Sequence, residues 1–181
     1  MSDPDAVLGF WFEDTPKEAW FKVDPEFDRL LRERFGDLYE DAKAGRLDSW
    51  ADTAEGALAL VVVLDQFSRN MFRGTSAAFA RDAKARAIAD LAVARGFDRT
   101  LSPPKRGFLY LPFEHSESLD DQKRCVALFG AAGDDADGLL WAVKHLRIIE
   151  RFGRFPHRNR ILGRESTPEE VEFLTQPDSS F

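Results

Sequence analysis

The stretch that most limits what this chain can fold into runs from Leu58 to Gly74. It opens as Leu58-Ala59-Leu60-Val61-Val62-Val63-Leu64, and at about 100° per residue these side chains cover the whole circumference of a helix, which requires burial on every side. Polar residues follow at once. Leu60, Leu64, Phe67 and Met71 continue one apolar stripe, whereas Asp65, Gln66, Arg69, Asn70 and Arg73 share an arc of roughly 140° on the other side. One helix is expected to anchor a core at its start and to present a polar cluster at its end.

Surrounding such a helix takes a chain of domain size. The 181 residues, 44% of them hydrophobic, fit a single helical domain over 1–181, with a loose tail at 176–181. Sixteen Phe and four Trp against two Tyr make its core aromatic. A net charge of −7 argues against nucleic-acid binding, which needs a basic surface. Cys125 is the single cysteine, so neither an internal disulfide nor a cysteine-rich zinc site can form. The chain carries no signal-peptide pattern and no apolar run of membrane-spanning length, so a cytoplasmic protein with no membrane partner is expected. Nothing in the composition points to a cofactor or fixes an oligomeric state.

Start and stop signals divide the chain into helices. Asp3-Pro4, Thr15-Pro16 and Asp24-Pro25 each offer a cap followed by a first helical residue. Phe27, Leu30, Leu31, Arg34, Phe35, Leu38 and Tyr39 then recur at helical spacing as far as Gly45. Asp52-Thr53-Ala54-Glu55 resembles a capping box at the head of the central helix. Thr75 or Ser76 starts the next helix, with Phe79, Ala83, Ala87, Ile88 and Leu91 inward. Pro112 is expected to end or kink the segment that begins at Ser102-Pro103-Pro104. Leu119–Phe129 and Leu139–Phe152 read as two more helices, the second with Trp141, His145, Ile148, Ile149 and Phe152 on its inner face. Ser166 or Thr167 opens a last short helix. No strand signal occurs, and the expected fold is all-α, of about eight or nine helices joined as hairpins.

Three motifs carry a family resemblance: Leu64-Asp65-Gln66-Phe67-Ser68-Arg69-Asn70-Met71-Phe72-Arg73-Gly74, Leu109-Tyr110-Leu111-Pro112-Phe113-Glu114-His115-Ser116-Glu117, and Arg151-Phe152-Gly153-Arg154-Phe155-Pro156-His157-Arg158-Asn159. From about Val7 to Glu170 the chain resembles the bacterial family called domain of unknown function 924. The resemblance implies antiparallel helical hairpins in a tetratricopeptide-like α-α superhelix, and it implies no activity and no catalytic residue. Ser68 stands where the family usually has proline, so the central helix is expected to continue more regularly into Arg69 and Arg73. Arg147 stands where a more acidic residue is expected. No self-similarity at about 34 residues marks a tetratricopeptide repeat in the sequence itself.

Candidate chemistry gathers in three places. Asp65 and Arg69 lie one helical turn apart, so Asp65 either pairs structurally with Arg69 or orients its guanidinium fork toward a bound carboxylate or phosphate. Glu114-His115-Ser116-Glu117 offers capping and salt bridging, or acid–base work by His115 with a glutamate. With His145 or His157 it could supply metal ligands, but no diagnostic metal spacing accompanies it, and no metal is expected. His145 reads as a satisfied core histidine. The stretch from Arg147 to Arg164 holds six arginines around Phe155, Pro156, His157 and Asn159, the composition of a solvated basic face or of a shaped loop able to cradle an anion.

The leading expectation is a protein that binds a small anionic ligand or an acidic peptide. Its pocket would be framed by Asp65, Arg69, Arg73, Glu114, His115, Arg154, His157, Arg158 and Asn159. Two alternatives stand beside it: a hydrolase-like enzyme using His115 or His157 with Glu117, and a non-catalytic scaffold for protein–protein interaction.

Overall fold

The computed structural model describes residues 3–180, and among them every regular element is helical. Two compact units divide the chain. The first runs to Arg73 and takes in 77–112, and the second holds 74–76 and continues from Phe113.

In the first unit α1 (Pro4–Gly9) starts on Asp3, whose carboxylate accepts the Asp5 N–H at 3.0 Å, and it runs on as a π-helical turn, Phe10–Asp14. The hydroxyl of Thr15 donates back to the Phe10 carbonyl at 2.8 Å, so the Thr15-Pro16 signal leads only to a short 3₁₀ turn, Lys17–Ala19. Asp24 caps α2 (Pro25–Lys43), which buries Leu31, Phe35 and Tyr39 and, unexpectedly, Asp28. The central run comprises α3 (Ala54–Val61), a π-helical stretch (Val62–Phe67) and α4 (Ser68–Met71) without a break. Every side chain from Ala57 to Leu64 is fully buried, because α1 and α5 pack on α3 while α2 packs on the π-helical stretch and α4. Thr53 rather than Asp52 caps this run, accepting the Gly56 N–H at 3.1 Å, so no glutamate completes a capping box. Gly56 itself is obligatory, since a Cβ there would strike the Trp50 carbonyl.

One expectation about this unit is overturned. On α5 (Asp82–Ala94) the inner face is Ala85, Ile88, Ala89 and Ala92, while Ala83, Ala87 and Leu91 are exposed. Small side chains let α5 approach α3 closely. Ala87 and Leu91 instead line an open groove of about 310 Å³ with Asp48, Ala51, Lys84 and Ile88. The helix α6 (Pro103–Glu114) includes Pro112 and ends two residues beyond it, where the missing N–H of proline leaves the Phe108 carbonyl without its helical donor.

In the second unit α7 (Leu119–Ala132) and α8 (Ala136–Phe152) pack as a hairpin. Asp135 caps α8 by accepting the Gly138 N–H at 2.8 Å, and a Cβ on Gly138 would meet the Phe129 ring, so glycine permits the close approach. Trp141, expected inward, is exposed and has the Lys144 ammonium 4.1 Å from its ring centroid. Ile148, Ile149, Phe155 and Phe173 form the local core. The last helix, α9 (Pro168–Phe173), has a full capping box between Thr167 and Glu170. Near the C-terminal end Lys144 pairs with Asp178 at 2.8 Å, and the Ser179 hydroxyl donates to the Leu174 carbonyl. Phe181 lies outside the described residues. Among the described residues, no helix is long and apolar enough to cross a membrane.

Candidate functional site

In the first unit the arginines of the central run already hold carboxylates. Asp65 is fully buried, with Gln66 Nε2 donating to Oδ2 at 2.6 Å and Arg69 Nη1 lying 3.0 Å from Oδ1. The Arg69 fork also takes Asp82 in a two-pronged pair, both bonds 3.0 Å. Burial works against the charge on Arg69, but Asp65 and Asp82 outweigh it and hold the proton more firmly than usual. Arg73 makes the same two-pronged contact with buried Asp28, at 2.7 and 3.0 Å, and Asn70 donates to that carboxylate at 2.8 Å. Burial raises the pKa of Asp28, yet Arg73 and Asn70 together leave it below its ordinary value.

Ser68 bears on how this cluster is shaped. Its hydroxyl donates to the Leu64 carbonyl at 2.7 Å within the π-helical stretch, and α4 stops at Met71, so Arg73 stands in the turn beyond. The regular continuation into Arg73 expected from the Ser68 substitution is not found. A serine bonded back to a carbonyl one turn earlier tends to bend a helix; Arg69, in the next turn, faces Asp82.

The second unit brings all three histidines of the chain together, two of them on one ring and the third on His145. Phe155 is fully buried. The His145 ring centroid lies 5.6 Å from it, the His157 centroid also 5.6 Å, and the Arg158 guanidinium carbon 4.5 Å. His115 joins from the other side of His145, their centroids 6.3 Å apart. Each is placed by local structure. His115 follows the end of α6, where the fully buried Gln122 of α7 donates through Nε2 to the Ser116 carbonyl at 2.7 Å and Arg158 Nη1 donates to the His115 carbonyl at 3.0 Å. His157 sits in a 3₁₀ turn, Pro156–Arg158, fixed by the Phe155 N–H, which donates to Glu117 at 2.8 Å.

His145 is held in the middle of α8. Its Nδ1 faces two acceptors, the Trp141 carbonyl at 2.9 Å and Glu114 Oε1 at 3.3 Å, so the hydrogen resides on Nδ1. Burial, with His115, Arg158 and His157 adding to it, lowers its pKa to about 3 against the Trp141 bond. The ring is neutral at physiological pH, and its contact with Glu114 is dipolar rather than an ion pair.

Two carboxylates lock the loop that carries His157 and Arg158. Glu117 accepts both prongs of Arg164, at 2.7 and 2.9 Å, besides the Phe155 N–H; burial raises its pKa, and these partners bring it below the ordinary value. Glu170 takes Arg154 at 2.7 and 2.8 Å, the Thr167 N–H at 2.8 Å and Asn159 Nδ2 at 3.2 Å; Arg154 leads in drawing it down to about 2. Asn159 also accepts from Arg164 at 2.9 Å. Glu117, Arg154 and Asn159 are thereby engaged within the chain, while His115 and His157 are half-buried.

A family model described as "Bacterial protein of unknown function (DUF924)" matches residues 7–178. The chain belongs to this family. A solved structure titled as that of a protein of unknown function, ATU0120 from Agrobacterium tumefaciens, is similar to this DUF924 member at 44% identity and a TM-score of 0.89, over 94% of this chain and 96% of that one. No curated protein matches the chain.

Sequence reasoning named His115 and His157 for this DUF924 site and read His145 as a satisfied core residue, or as a histidine a metal site could recruit. It did not single out Phe155 as the ring on which they gather, nor Asp28, Asp82, Glu170 and Gln122 as partners. For Phe155 a signal existed, a large apolar residue placed before Pro156 among arginines. For Asp28 and Asp82 there was none, since both look like ordinary polar-face residues of their helices.

Proposed function

We propose that this protein binds a small anionic ligand bearing a phosphate, sulfate or carboxylate group through His115, His157 and Arg158 of the second unit. The observation that carries the reading is that His157, Arg158 and His145 gather on Phe155 while His115 packs on His145 and accepts from Arg158 through its carbonyl, although these residues are distributed over 43 residues of chain. Guanidinium and imidazole donors clustered on one ring suit an acceptor with several oxygens. Asp65, Arg69 and Arg73 take the structural role in this reading, because their forks and carboxylates close on one another. Binding is favoured over turnover, since the imidazole that faces a carboxylate, His145, is buried and remains neutral.

Isothermal calorimetry with inorganic phosphate and with succinate tests this directly. The wild type should bind at least one of them, and His157→Gln, with its fold verified by circular dichroism, should weaken that binding about tenfold, a difference of about 1.4 kcal/mol. Absence of heat with either probe up to about 10 mM, a free energy weaker than roughly −3 kcal/mol, would refute the reading.

A further inference from the structure

We infer that this anion site is proton-linked: the ligand enters together with a proton taken up by His115 or His157. The inference rests on the binding role proposed above and concerns its regulation. Arg158 carries a fixed charge and packs on the same Phe155 ring as His157, and it also donates to the backbone carbonyl of His115, whose ring packs on His145.

Charges facing this group come from every surrounding element. At the end of α6 stands Glu114, directed at His145 Nδ1 at 3.3 Å. Glu117, in the following turn, is committed to Arg164 and the Phe155 N–H. From α7, Asp121 accepts the Ser116 hydroxyl at 2.6 Å, and Cys125 is a buried thiol held uncharged by burial. From α8 comes the neutral ring of His145, and from the loop come Arg154, Arg158 and Arg164, with Glu170 of α9 bound to Arg154. On the Phe155 ring itself the guanidinium of Arg158 stands beside His157, which disfavours further positive charge there. An anion reverses that balance. A negative charge within about 4–6 Å favours the protonated form of an imidazole. Affinity should therefore rise as pH falls from 8 to 6.

Sulfate is the suitable probe, because it does not itself titrate in this range. Calorimetry at pH 7 in two buffers of different ionisation enthalpy should report uptake of about half to one proton per sulfate bound. In the same titration the imidazole carbon-bound proton resonances should show His115 or His157 rising by about one pH unit in pKa. Sulfate binding with the same heat in every buffer, and with both imidazoles unmoved, would overturn the inference and leave the binding role standing. Absence of sulfate and phosphate binding at both pH 6 and pH 8 would overturn the two together.

Discussion

Replacing His145 by asparagine is the most informative single change for the account of the histidine cluster. Asparagine Nδ2 reaches the position of imidazole Nδ1, so the bond to the Trp141 carbonyl is kept while the titratable group is removed. In the wild type the folded ring titrates at about 3, against about 6.5 when unfolded. Between those values the unfolded chain holds a proton that the native state does not, so wild-type stability falls as pH falls. At about 1.36 kcal/mol per pH unit, lowering pH from 6.5 to 4.5 removes about 2.5 kcal/mol from the wild type through this group alone. The variant lacks that slope. Urea denaturation of both proteins at pH 7, 5.5 and 4.5 measures the difference, and carboxylate contributions common to the two cancel. The variant should be less stable at pH 7 by roughly 1–3 kcal/mol for its lost ring contacts, and this deficit should shrink toward zero or reverse at pH 4.5. A deficit that stays constant across the series would refute the argument that burial keeps His145 neutral.

Three further outcomes follow from the buried charges and the thiol. Glu170→Gln should destabilise the protein at pH 7, and the loss should fade as pH drops from 4.5 toward 2, because a carboxylate with a depressed pKa stabilises only while ionised. Full conversion of the shift gives roughly 3 kcal/mol, and water around the partly exposed Arg154 guanidinium reduces this to roughly 1.5 kcal/mol, read from the shift of the urea midpoint. Asp65→Asn, at a fully buried position, should cost roughly 3 kcal/mol, and adding Arg69→Met should recover part of it, in a chemical-denaturation cycle that would show no coupling if the pair were incidental. Cys125 is fully buried with its thiol pKa raised well above the ordinary value, so Ellman's reagent should label it only on unfolding; rapid labelling in native buffer would contradict its placement.

How far the chain could be read without its structure depended on the kind of signal. Strong periodicity with no polar interruption, as from Leu58 to Leu64, leaves a helix no exposed side, and the fully buried run from Ala57 to Leu64 follows from it. Cap chemistry placed the starts at Asp3, Asp24 and Thr167 for the same local reason. Phase on α5 was misjudged because alanines appear on both of its faces, and only packing against α3 decides which of them turn inward. Long-range charge pairing was equally hidden. Asp28 with Arg73 and Glu117 with Arg164 are separated by 45 and 47 residues, and no local rule joins them. The histidine cluster was legible in part: the motifs holding His115 and His157 were singled out, while the apolar stripe of α8 concealed that His145 lies between them.

The imidazole spectrum offers the sharpest measurement, because three histidines give three sets of ring resonances. At pH 6.5, titrating phosphate or sulfate into the wild type should shift the resonances of His115 and His157, while the nitrogen shifts of His145 remain those of a neutral ring carrying its hydrogen on Nδ1. Resonances of His115 and His157 that stay fixed at saturating anion, or a His145 that is protonated at pH 6.5, would contradict the account.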